Sequence, residues 1–134
     1  MILLVDTSVW SLAFRRDAPV KSPAIEFLRT FIESDGSIVT TGLILQELLQ
    51  GFSGPKQRRQ IIQRFAALPH LIPDRHDHIE AAALRNRCRR SGVQLGTIDA
   101  LLAQLCIRYD TTLLSTDNDF LYASKHIPLS VWRP

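Results

Sequence analysis

Two kinds of apolar pattern alternate along the chain. One is a short unbroken run. Residues 2–5 are apolar at every position and end on Asp6, as a strand buried on both faces of a parallel sheet does. Residues 37–40 and 112–116 predict two more strands, and 128–132 a last edge strand, because proline is tolerated where a strand begins. An apolar pair at 71–72, between Pro69 and Pro73, predicts another.

The other pattern is apolar recurrence at spacings of three and four. Ala24, Ile25, Phe27, Leu28, Phe31 and Ile32 predict an amphipathic helix that opens at Pro23 and ends near Asp35-Gly36. Further helices are predicted over 8–14, over 42–51 with Thr41 as cap, over 56–68, from 74 or 76 to 91–92, from a Thr97 cap through 109, and over 118–123. Residues 15–23 read as the first long loop. This alternation means an α/β domain whose central, mostly parallel sheet is covered by helices on both faces. Ligands of such sheets bind beyond the carboxyl ends of the strands.

The 134 residues suffice for one sizeable core and are too few for two ordinary domains, so a single domain over 1–134 is expected. Sixteen Lys and Arg against thirteen Asp and Glu leave a net charge of +3. That balance admits a polyanionic partner without requiring one. No apolar stretch nears the roughly 18–20 residues of a membrane span, and the N-terminus lacks the pattern of a secretory leader. Two cysteines, Cys88 and Cys106, both in predicted helices, supply neither a disulfide framework nor a cysteine zinc site. A soluble, cytoplasmic protein is expected.

Candidate chemistry concentrates in the acids. Asp6 and Asp117 each follow an apolar strand, so in one parallel sheet they stand on the same edge. Either alone reads equally well as the N-cap of the helix after it. Asp99 opens the helix that leads into the strand ending at Asp117. From Asp99 to Arg108 that helix climbs about 14 Å at 1.5 Å per residue. The strand returns about 16 Å at 3.3 Å per residue, which brings Asp99 to the same rim. Its plain alternative is a charge suited to a helix's first turn. Glu47 falls between Leu43 and Ile44 in the apolar sector of its helix, where an unpaired carboxylate is costly. A side chain reaching out to water is the alternative. With Asp119 close by, these acids converge on one edge. Their repulsion calls for a cation, and hard oxygen ligands suit Mg²⁺ or Mn²⁺.

Basic residues group as Arg15 and Arg16, as Lys56, Arg58, Arg59 and Arg64 on one helix, and as Arg85, Arg87, Arg89 and Arg90 on another. Each group reads first as a solvated face and second as a set of phosphate contacts. His76 and His78, two apart on a helix, face differently and do not share an ion.

Four segments carry a resemblance over nearly the whole chain. Val5-Asp6-Thr7-Ser8-Val9-Trp10, Leu45-Gln46-Glu47-Leu48, Thr97-Ile98-Asp99-Ala100-Leu101-Leu102-Ala103 and Leu114-Ser115-Thr116-Asp117-Asn118-Asp119-Phe120 resemble the PIN-domain proteins. Within them, the match is to the VapC-type toxin ribonucleases of type II toxin–antitoxin systems. The resemblance implies a three-layer α/β/α fold and a Mg²⁺- or Mn²⁺-dependent endoribonuclease. It also implies a homodimer restrained by a cognate VapB-like antitoxin. Asp6, Glu47, Asp99 and Asp117 correspond to the catalytic, metal-binding quartet, with Asp119, Thr7 and Thr116 as auxiliary residues. Arg15, Arg16, Lys56, Arg58 and Arg59 are candidate RNA contacts. The alternative is a non-catalytic PIN-like module that binds RNA or protein without cutting. A haloacid-dehalogenase-type phosphatase would want an Asp two residues after Asp6, where Ser8 stands.

Overall fold

The computed structural model describes residues 1–15 and 21–134. Four short strands, β1 (Ile2–Val5), β2 (Ser37–Val39), β3 (Thr112–Leu114) and β4 (Ser130–Val131), form one sheet in the order β2-β1-β3-β4. Every pairing is parallel. β1 is central, with Leu4 opposite Val39 on one side and Leu113 on the other. Leu3, Leu4, Val5, Leu113 and Leu114 are wholly buried, which is why these runs carry no polar alternation.

Among the described residues seven helices flank the sheet: α1 (Thr7–Ala13), α2 (Pro23–Glu33), α3 (Gly42–Gly51), α4 (Pro55–Ala66), α5 (Arg75–Arg90), α6 (Thr97–Arg108) and α7 (Asn118–Ala123). The chain leaves β1 through α1 and α2 to β2 on one side. It then passes through α3 to α6 and re-enters on the other side of β1 as β3. The strand order therefore reverses between β1 and β3, and the crevice beyond their carboxyl ends is where such a sheet forms a site.

Three expectations change. Residues 71–72 form no strand; the segment makes one isolated bridge, Thr40 with His70, because the flanking prolines lack the N–H a ladder needs. β3 stops at Leu114, since Ser115 and Thr116 turn away to bond side chains at the site. Gly96, not Thr97, is the N-cap of α6, and Thr97 is its first residue. At the end of α2 it is Asp35, at φ 57°, that takes the left-handed conformation. Gly36 is needed for another reason: the Phe31 ring occupies the space a Cβ would fill. Gly92, at φ 83°, ends α5 as expected.

α5 and α6 pack along one another and are pinned by a buried charge. Asp77 is wholly buried and meets the Arg108 guanidinium and the Gln104 amide. It also closes a capping box with Asp74, each backbone N–H donating to the other's carboxylate at 2.9 Å.

Candidate active site

Asp6 begins where β1 and β3 part. Its N–H donates to Leu114 O at 2.9 Å, the last rung of the ladder. Its carbonyl accepts from Val9 and Trp10 N–H, so the residue starts α1 with its backbone, yet its side chain makes no cap. The carboxylate is only 8% exposed and engages two hydroxyls instead. Ser8 Oγ and Ser115 Oγ both donate to Oδ2, at 2.9 and 2.8 Å. Those hydroxyls are themselves oriented by backbone: Thr116 N–H donates to Ser8 Oγ at 3.1 Å, and Asp117 N–H to Ser115 Oγ at 3.0 Å. The loop after β3 is thus tied to the end of β1 through two serines and one oxygen.

The other acids gather around this point. Asp117 caps α7, its Oδ1 accepting from Asp119 N–H at 2.9 Å, so its capping reading holds. Glu47, half-buried on α3, accepts from Thr7 Oγ1 at 2.9 Å. Asp99 lies in the first turn of α6, where the helix dipole favours its charge by about 0.3–1 kcal/mol. Its carboxyl is nonetheless pushed up to about 6, first by burial and then by the charges of Asp6, Asp117, Glu47 and Asp119. Desolvation and like-charge repulsion outweigh the dipole.

That electrostatic strain tests the fit of a divalent cation. Among the described residues, every charged group that moves Asp99 is acidic. Among the described residues, however, no three His, Cys, Asp or Glu side chains are closed into a ready cage. The set fits a hydrated, hard divalent cation, one that keeps waters and takes one or two carboxylates plus substrate phosphate. It does not fit a dry, all-protein cage.

A model of the PIN domain matches residues 3–125. The chain belongs to the PIN-domain family. It is 30% identical over 121 residues to the VapC ribonuclease Mb1587 of Mycobacterium bovis and to ribonuclease VapC11 of Mycobacterium tuberculosis, covering 89% of this chain and 89% of each relative. Among solved structures, VapBC2 from Rickettsia felis bound to a promoter DNA fragment superposes with a TM-score of 0.71 at 19% identity, over 98% of both chains. That likeness shows the fold.

Within this PIN domain the predicted acids share one rim, with Thr7 bonded to Glu47. Thr116 enters through its backbone N–H. Lys56, Arg58 and Arg59 are exposed on the first half of α4, and Arg15 is exposed after α1; Arg16 lies outside the described residues. Two features were not read from the sequence. Ser8 and Ser115 hold Asp6, and their only signal was a hydroxyl residue near the carboxyl end of each of two strands. Asp74-x-x-Asp77 signals the capping box that opens α5, but no local pattern points to the Asp77–Arg108 pair, 31 residues apart.

Proposed function

We propose that this PIN domain, a single domain over residues 1–134, is the endoribonuclease toxin of a VapBC-type toxin–antitoxin pair. It hydrolyses RNA phosphodiester bonds with Mg²⁺ or Mn²⁺, works in the cytoplasm as a homodimer, and is restrained by a VapB-like antitoxin. Support comes from the relatives named VapC ribonuclease, which align along most of the chain. The observation that carries the chemistry is the meeting of Asp6, Glu47, Asp99 and Asp117 at the β1/β3 switch point, with Asp99 raised by the others. Among the described residues no helix is long and apolar enough to cross a membrane.

When bound, a divalent ion there lowers the pKa of attacking water and neutralises charge on the scissile phosphate. The residues supply the rest. The Ser8 and Ser115 hydroxyls lock Asp6 Oδ2, leaving Oδ1 without a donor among the described residues, and so aim that oxygen as a ligand. Asp117 Oδ1 is engaged by Asp119 N–H, which sets the carboxylate's orientation. Thr7 holds Glu47 at Oε1. Asp99, whose carboxyl burial and the neighbouring acids push up, sits where it can take a proton from water or complete the ligand set once cations are present.

The test is cleavage of total RNA by purified protein. Asp6→Asn and Asp99→Asn abolish cutting while their far-ultraviolet circular dichroism matches the parent. Millimolar Mg²⁺ or Mn²⁺ raises the melting temperature of metal-free protein, because the ion binds only the folded state. Full activity in either variant, or in EDTA, would sink the assignment and favour the non-catalytic module.

A further inference from the structure

The arginines of α5 are among the charged groups that the proposed reaction leaves unused. Arg85 and Arg89 stand one turn apart on the same face of that helix. With Gln94 and Leu95 they line a cavity of about 230 Å³. Arg85 Nε donates to Leu95 O at 2.9 Å, which fixes the plane of the guanidinium against the loop between α5 and α6. Among the described residues neither arginine has an acidic partner.

That loop runs straight into the acidic rim. Leu95 is buried, Gly96 caps α6, and a Cβ on Gly96 would lie 3.8 Å from Asp99 Oδ2. Standard peptide dimensions, followed from Arg85 Nε through the Leu95 carbonyl and Gly96, bring that nitrogen within about 11 Å of the Asp99 carboxylate. About three stacked nucleotides, at 3.4 Å each, cover that distance.

A strand of phosphodiesters meets repulsion at a rim of carboxylates, so it needs positive charge beyond the reacting bond. Arg85, already oriented by one hydrogen bond, offers its remaining donors in a fixed fork and loses little entropy on binding an anion. We propose that Arg85 and Arg89, with Gln94, cradle a backbone phosphate of the RNA about three nucleotides or fewer from the bond that is cut. The inference rests on the ribonuclease reading above.

The probe is a short fluorescein-labelled single-stranded RNA of mixed sequence. Binding is followed by fluorescence anisotropy in Mg²⁺ across a salt series, using Asp99→Asn protein so that no strand is cut. In that background Arg89→Gln weakens binding about tenfold, the effect of one charge-assisted hydrogen bond. It also lowers the slope of log Kd against log salt by about 0.7, the value for one lost contact to a single strand. Arg89 is exposed and its side chain makes no bond among the described residues, so this variant folds; Arg85→Gln gives the same loss plus any effect of freeing the loop. Arg89→Lys keeps the slope, since phosphate accepts a point charge. Arg75→Gln, at the far end of α5, leaves affinity and slope as they were. An unchanged slope in Arg89→Gln, or an equal drop in Arg75→Gln, overturns the cradle while the ribonuclease reading stands. If the parent binds no RNA and the wild-type protein cuts none, both fall.

Discussion

Removing one charge from the acidic rim should make the metal-free protein more stable while destroying its activity. In Asp99→Asn the amide replaces a carboxylate whose pKa is pushed from 3.8 up to about 6 by burial and by four neighbouring acids. Two units at 1.36 kcal/mol each set a ceiling of about 3 kcal/mol. Asp99 is partly exposed and surface charges are screened, so about 1–2 kcal/mol is the working figure. For a chain of this size that raises the melting temperature by about 3–10 °C. The sign follows from linkage. Between about pH 4 and 6 the folded state holds a proton that the unfolded chain has lost, so stability falls as pH rises through this window and is level above it. The stabilisation by Asp99→Asn is therefore full near neutrality and shrinks steadily as the buffer is taken from about pH 6 toward 4. Differential scanning calorimetry on chelator-treated protein at low salt measures it. Adding Mg²⁺ narrows the gap by stabilising the wild-type protein more. A variant that melts no higher than the parent at neutral pH, or gains as much at pH 4 as at neutrality, refutes the claim that unrelieved repulsion strains this site.

Other outcomes follow from the same structure. Ser115→Ala removes a donor to Asp6 and the acceptor for Asp117 N–H, so a metal titration of RNA cleavage should show apparent affinity or activity down by about 10–100-fold, with the fold kept. Asp77→Asn leaves Arg108 without its buried partner; because Arg108 is 39% exposed, the loss in urea unfolding should be about 2 kcal/mol rather than the full 3–5 kcal/mol of a dry pair. Burial alone would raise the Asp77 carboxyl, but the Asp74 N–H, the Gln104 amide and the Arg108 guanidinium together hold it below the usual range. Its stabilisation is therefore present above about pH 3.8 and is lost on further acidification, a window below that of Asp99. Gly36→Ala forces the Phe31 ring aside and should cost about 1–3 kcal/mol in the same assay.

The acids were legible because their backbone context restricts where they can go. An apolar run that ends on Asp6, and another just ahead of Asp117, must deliver both carboxylates to one edge if the strands are parallel. The length of the α6 helix and β3 then brings Asp99 back to that edge. Glu47 was legible from its cost, as a carboxylate between Leu43 and Ile44 in the apolar sector of its helix; its relief by Thr7, 40 residues away, was not. Pairings of this kind depend on which strands are neighbours and on their register. The serine lattice exists only because Leu114 lies beside Val5, which no local pattern states. The strand expected at 71–72 failed for a local reason, two prolines, whose effect on a ladder outweighed a short apolar pair.

By itself, the amino-acid sequence determined the class of fold, the order of its elements and the edge of the sheet on which Asp6, Asp99 and Asp117 fall. These follow from hydrophobic period and strand ends, which are local properties. The tertiary structure decided how those acids behave: that Asp6 is held by two hydroxyls rather than capping a helix, that Asp99 carries the repulsion of the rest, and that Arg85 is bound to the loop beside it. Each of these depends on distances between residues far apart in the chain. Electrostatic and hydrogen-bond energies change over a few ångströms, and only the packed sheet and its helices set separations that finely.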